Sequence, residues 1–194
     1  VAVHAVNVTP VCLGDTAVVV GAGMIGLLTL QAARAAGASR IIAIDLNEKR
    51  LEVAKQLGAD ETIRGDRCNA AEEIIALTNG KGADVAFEVV GATPTVKTAI
   101  ECVRKGGNVT LVGNVSPVID LPLQSVVTRE ISLHGTCGCN GEYPECIDLM
   151  NRGIINVKPL ITAMIPLSDG PDWFKRLHAG DPNQMKVVVQ PQQA

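Results

Sequence analysis

The stretch TAVVVGAGMIGLLTLQAARAAGASRIIAID, residues 16–45, decides the fold. Residues 16–20 form a short run dense in β-branched valine behind the Gly14-Asp15 turn, which predicts a buried strand. Residues 24–36 are rich in Leu and Ala and long enough for a helix, and Gly37 stands where a glycine ends one. RIIAID (40–45) is a second buried strand. In NEKRLEVAKQLG (47–58), Asn47 is placed to cap a helix, Leu51, Val53, Ala54 and Leu57 supply its apolar positions, and Gly58 stops it. The alternation continues with a helix over 70–78 and a strand in VAFEVV (85–90). PTVKTAIECVRK (94–105) predicts a helix closed by Gly106-Gly107, followed by strands in NVTLVG (108–113) and ISLHGT (131–136). Helices alternating with apolar strands imply right-handed crossovers, hence an α/β fold with a doubly wound parallel sheet.

After about residue 138 the rhythm loosens. A helix around 142–152, the segment VKPLITAMIPL, a helix near 170–178 and a strand in MKVVV (185–189) follow. One doubly wound domain does not need this tail, which reads as the return into a second domain whose main body is missing. The expected division is 1–137 and 138–194.

Composition narrows the function classes. Of 194 residues 47% are apolar and 19% charged, enough apolar surface for a core and too little charge for disorder. The net charge of −3, without a long basic run, makes nucleic acid and anionic membrane poor partners. The apolar runs are broken well short of the ~18 residues a membrane span needs. Only Phe87, Tyr143, Trp173 and Phe174 are aromatic, against the core of an all-β sandwich and in keeping with helix-covered parallel strands. The six cysteines lack the spacing of a disulfide framework, and VAVHAVNVTP lacks the features of a signal peptide, so the expected location is the cytoplasm.

Between the first strand and the first helix lies Gly21-Ala22-Gly23-Met24-Ile25-Gly26. A lone G-x-G-x-x-G is weak, but this one follows a valine strand, opens a helix, and is followed by Asp45 at the end of the second strand. Gly21 permits the tight turn, Gly23 lets backbone amides approach a pyrophosphate, and Gly26 allows close helix–strand packing. The helix N-terminus supplies free N–H groups and a positive dipole end for the phosphates. Asp45 can accept hydrogen bonds from an adenosine ribose, and its charge opposes a 2′-phosphate, with no cation at Leu46 to reverse that preference. The expected cofactor is therefore NAD rather than NADP. Flavin and S-adenosylmethionine sites share the glycine turn. The further segments of a flavoprotein are not found, whereas a methyltransferase remains open on the motif alone.

GDTAVVVGAGMIGLLTLQAARAAGASRIIAIDLNEKRLEVAKQLGAD (14–60) resembles the zinc-dependent medium-chain alcohol and polyol dehydrogenases. The resemblance continues through FEVVG (87–91), GGNVTLVG (106–113), GEYPECIDLMNRG (141–153) and KVVV (186–189), and is nearest in style to the sorbitol and threonine dehydrogenase branch. It implies that Met24 and Ile25 give amides to the pyrophosphate and that Asp45 holds the adenine ribose with Arg50 beside it. By the same resemblance Val89, Val90 and Gly91 line the adenosine and nicotinamide-ribose side. Val112, Gly113 and Thr136 bracket the nicotinamide, and Lys186 lies near the pyrophosphate. Arg50 also has an ordinary reading as a solvated helix residue, and Lys186 as an edge-strand charge.

In that family the catalytic zinc sits mainly in an N-terminal barrel-like domain, expected to precede Val1; VAVHAV matches the segment after it. No catalytic residue and no metal ligand is assigned in this chain: Cys137-Gly138-Cys139 with Cys146 and His134 falls short of a tetrahedral zinc site. His4 is left unassigned, as a helix-face histidine. The resemblance implies hydride transfer from a polyol or secondary alcohol to NAD, a fragment inactive alone, and a homodimer or homotetramer pairing through 116–136. A non-catalytic NAD-binding module and a zinc-free quinone-reductase-like enzyme are the alternatives. A short-chain dehydrogenase is excluded because Tyr143, the sole tyrosine, has Ile147 rather than Lys four residues on.

Overall fold

The computed structural model describes residues 1–191 and divides the chain into two compact units, residues 1–155 and residues from 156 onward. The first contains α1 (Ala2–Asn7), β1 (Thr16–Val20), α2 (Met24–Ala35), β2 (Arg40–Asp45), α3 (Glu48–Gln56), β3 (Glu61–Arg64) and α4 (Ala70–Leu77). It continues with β4 (Ala83–Glu88), α5 (Thr93–Cys102), β5 (Val103–Leu111), α6 (Leu123–Thr128), β6 (Ser132–Gly135) and α7 (Tyr143–Asn151). The six strands form one parallel sheet in the order β3-β2-β1-β4-β5-β6. The expected doubly wound architecture is thus present, with its topological switch between β1 and β4.

Both faces of the central strands β1, β2 and β4 are buried, which is why they read as unbroken apolar runs. Val18 and Val20 of β1 and Ile42 and Ile44 of β2 join Ile74 of α4 and Val96, Ala99 and Ile100 of α5 in one core cluster. Their strand neighbours Val19, Ile41, Ala43 and Phe87 are equally buried, and alternation sends them to the opposite face, where α2 packs on β1 and β2. The helix ends follow from the sequence. Asn47 Oδ1 accepts from the amides of Lys49 (3.0 Å) and Arg50 (3.4 Å). At the end of α2 the Gly37 amide donates to Arg34 O and the Ala38 amide to Ala33 O, closing the last turn.

Within the first unit the short edge strand β3 and helix α6 were not expected. One boundary is corrected as well. Helix α5 ends at Cys102, and Gly106 and Gly107 lie inside β5, in a bulge where pairing with β4 jumps from Ala83↔Val103 to Val85↔Asn108. The glycines do not stop the helix because Arg129 does. Its Nη1 donates to Ile100 O (3.2 Å) and its Nη2 to Val103 O, satisfying carbonyls at the helix end.

The first unit includes α7. A contact between His4 Nδ1 on α1 and Glu142 Oε1 at the start of α7 (2.6 Å) helps hold it there. In the second unit, β7 (Ile161–Pro166) and β8 (Lys186–Gln190) pair in parallel, and α8 spans Gly170–His178. Within it the Arg176 guanidinium stacks 4.6 Å from the centre of the Trp173 ring and its Nε donates to Asp181. Among the described residues no helix is long and apolar enough to cross a membrane.

Candidate functional site

At the switch point β1 ends in a turn that the sequence makes with Gly21, whose φ of +105° an L side chain rarely adopts. The Gly21 amide donates to Ile44 O (2.8 Å), tying the turn to β2, and the Val89 amide donates to Val20 O (2.9 Å), tying the exit of β4 to β1. Gly26 packs hardest. A Cβ there would lie 1.8 Å from Gly21 O, so the first turn of α2 can approach the strand only without a side chain. Gly23 is the opposite case: as N-cap of α2 it has no atom within 4 Å of a Cβ position, and no side chain caps the helix. The first-turn amides, those of Met24 and Ile25 included, therefore open onto free space at the positive end of the helix.

Asp45 closes this turn from the side. Its Oδ2 accepts from the Ala22 amide (2.7 Å) and its Oδ1 from the Asn47 amide (2.8 Å). Each oxygen keeps a further lone pair, so the half-buried carboxylate is held in place and still able to accept from a diol. Arg50, in the first turn of α3, has a buried Nε with no hydrogen-bond partner.

The turns after β4, β5 and β6 complete the rim. Val89 and Val90 are half-buried and Gly91 is buried. Gly91 and Gly113 meet backbone to backbone: a Cβ at Gly113 would lie 2.1 Å from Gly91 N, and one at Gly91 would lie 2.4 Å from the Gly113 carbonyl carbon. The amides of Val112 (2.8 Å) and Gly113 (3.0 Å) donate to Glu88 O. Thr136 follows β6, its Oγ1 buried and without a partner.

The structure thus brings Gly21, Gly23, Met24, Ile25, Gly26, Asp45, Arg50, Val89, Val90, Gly91, Val112, Gly113 and Thr136 to the carboxyl ends of the parallel strands. Open α/β sheets bind ligands in that crevice. Lys186 lies exposed on β8 of the second unit. Residues of the first unit fit a dinucleotide on three counts: uncapped amides under open space, a fixed carboxylate, and orphaned polar atoms at Arg50 and Thr136. Among the described residues no group of three or more His, Cys, Asp or Glu is placed to hold a metal ion. His134 instead contacts Asn108 Oδ1 (3.0 Å), and Cys137 and Cys139 are exposed free thiols.

One site residue was missed. Glu88, at the end of β4, has 0% of its surface exposed. Its Oε1 accepts from the amides of Val90 and Gly91 (both 2.9 Å), and its Oε2 from Gly91 (3.0 Å). In the sequence it passes as one more residue of the strand VAFEVV. A carboxylate closing an otherwise apolar buried run was the available signal.

The sequence profile of the zinc-binding dehydrogenases matches residues 25–152. L-Idonate 5-dehydrogenase of Vitis vinifera is 39% identical over 194 residues, which is 97% of this chain and 53% of that protein. The crystal structure of 2R,3R-butanediol dehydrogenase from Bacillus subtilis superposes with a TM-score of 0.91 at 31% identity, covering 99% of this chain and 55% of that one. A zinc-binding dehydrogenase from Sinorhizobium meliloti bound to NADP gives a TM-score of 0.90 at 27% identity, covering 98% of this chain and 56% of that one. The chain spans about half the length of the relatives it matches. With two thirds of its residues under that profile, it belongs to the zinc-binding dehydrogenase family.

Proposed function

We propose that this chain is the NAD-binding part of a zinc-dependent medium-chain dehydrogenase that moves hydride from a polyol or secondary alcohol to the coenzyme. The observation carrying the reading is the open, uncapped N-terminus of α2 beside a carboxylate already fixed by the Ala22 and Asn47 amides. The first-turn amides bind the pyrophosphate. Asp45 accepts the adenosine ribose hydroxyls and opposes a 2′-phosphate, with Arg50 flanking the sugar. Bound nicotinamide supplies the hydride acceptor. The turns at 89–91 and 112–113, with Thr136, orient it and exclude water from it.

The NAD-binding domain of this reading is 1–137, and 138–194 is the return of the catalytic domain. Zinc belongs to the intact enzyme and is not held by this chain, which alone has no turnover. The names of the relatives support a sugar acid, polyol or diol as substrate. The free edge of β6 and the exposed Val115, Val118, Leu123 and Val127 support pairing of copies through 116–136, as a homodimer or homotetramer in the cytoplasm.

Calorimetric titration of the 194-residue chain with NAD, NADP and S-adenosylmethionine tests the assignment. NAD binds, NADP binds more weakly and S-adenosylmethionine does not. Failure to bind NAD at millimolar concentration, or equal affinity for NADP, overturns it.

A further inference from the structure

The sheet divides the coenzyme between two halves. The turns after β1 and β2 serve one mononucleotide, and those after β4, β5 and β6 serve the other. Asp45 organises the first half. The turns of the second half at 89–91 and 112–113 contain no charged residue, but they are built around one beneath them.

Glu88 is that group. Its carboxylate receives the amides of Val90 and Gly91, and its own carbonyl receives those of Val112 and Gly113. One residue therefore fixes both the β4 and β5 exits, which touch at Gly91 and Gly113 with no room for a side chain between them. Among the described residues no cation is paired with it: its recorded partners are backbone amides alone. Burying a carboxylate is expensive, and a strand end that needed only stability would be served by an apolar residue at lower cost. What the carboxylate adds is orientation. Two consecutive amides are turned inward onto it, which fixes the orientation of the peptide units 89–90 and 90–91 that carry them.

We propose that Glu88 is a positioning residue for the nicotinamide half of the coenzyme, acting through the turns at 89–91 and 112–113 without touching the ligand. This rests on the dinucleotide-binding reading above. A merely structural Glu88 would weaken all ligands alike when replaced, whereas a positioning residue affects only the half its turns serve. ADP, which carries the adenosine and both phosphates but no nicotinamide, separates the two.

The experiment titrates the chain and its Glu88→Leu and Glu88→Gln variants with NAD and with ADP, alongside thermal unfolding. Leu leaves both amides without an acceptor. Its NAD affinity falls about tenfold, the worth of roughly one hydrogen bond to a charged group, while ADP affinity holds. Gln keeps one acceptor oxygen and loses only about threefold for NAD. Unchanged NAD binding in Glu88→Leu, or equal losses for NAD and ADP, overturns the proposal. Should Glu88→Leu not fold, Glu88→Gln decides by the same comparison. If the parent chain binds ADP and NAD equally well, Glu88 has no nicotinamide half to position and the proposal falls while dinucleotide binding stands. If it binds neither, the dinucleotide reading itself has failed.

Discussion

Replacing Gly23 with alanine separates ligand binding from folding. The Gly23 backbone sits at φ −71° and ψ −175°, which any residue adopts, and nothing lies within 4 Å of the added methyl. The chain-entropy gain of Gly→Ala and the small penalty for Ala at an N-cap nearly cancel, leaving stability within about 0.5 kcal/mol of the parent. In the proposed complex the methyl projects into the open space at the uncapped N-terminus of α2, where the pyrophosphate would bind. Losing one charge-assisted hydrogen bond there costs about 1.5–3 kcal/mol, a tenfold to hundredfold weaker NAD complex. Gly26→Ala is the control. Its Cβ would stand 1.8 Å from Gly21 O, so α2 must move by more than 1 Å off the strand, an overpacking cost of about 1–3 kcal/mol or more. Titration with NAD and urea unfolding of both variants decide the matter. The reasoning is refuted if Gly23→Ala binds NAD like the parent, or if it is destabilised as much as Gly26→Ala.

Three further outcomes follow from side chains away from the crevice. Burial pushes the Asp84 carboxyl up, but hydrogen bonds from Arg104, the Thr16 amide and Lys81 outweigh it and hold the group below the ordinary carboxylate range. Its stabilisation is complete above about pH 4–5 and is lost as acid takes the pH down through the lowered folded value. Asp84→Asn costs about 1–3 kcal/mol at pH 7 and flattens the acid limb of a urea-midpoint-against-pH curve; an unchanged limb contradicts this. Burial pushes the Cys102 thiol up to about 12, so a thiol reagent at pH 8 modifies the exposed Cys12, Cys68, Cys137 and Cys139 and spares Cys102 until the chain unfolds. Mass mapping that finds Cys102 labelled at the same rate would refute it. Arg129→Ala strips the acceptors Ile100 O and Val103 O of their donor and lowers the urea midpoint by the equivalent of about 1–3 kcal/mol. No change would mean the guanidinium is not the stop of α5.

The central strands and their helices were legible because each carries a strong local signal: valine and isoleucine runs buried on both faces, Asn47 as a cap, Gly37 and Gly58 as stops. Strand β3 was not, because only Ile63 of its four residues is buried and an edge position tolerates polar side chains. The six-residue helix α6 is too short to show a period. The Gly106-Gly107 pair misled because the partner that ends α5, Arg129, lies far along the chain. The first-turn site was legible as a motif with fixed spacing. Glu88 was not, since its role depends on two turns meeting at Gly91 and Gly113, a contact no local pattern announces.

The dual grip of Asp45 on Ala22 and Asn47 bears on any attempt to retune coenzyme choice. Exchanging this side chain for an apolar or basic one, which offers the Ala22 and Asn47 amides no acceptor, also releases the glycine turn at 21–26 and the start of α3 from their common anchor. Selectivity and loop shape are therefore inherited together. A redesign that succeeds has to supply a new acceptor for the Ala22 amide from elsewhere, before any cation is added for the extra phosphate.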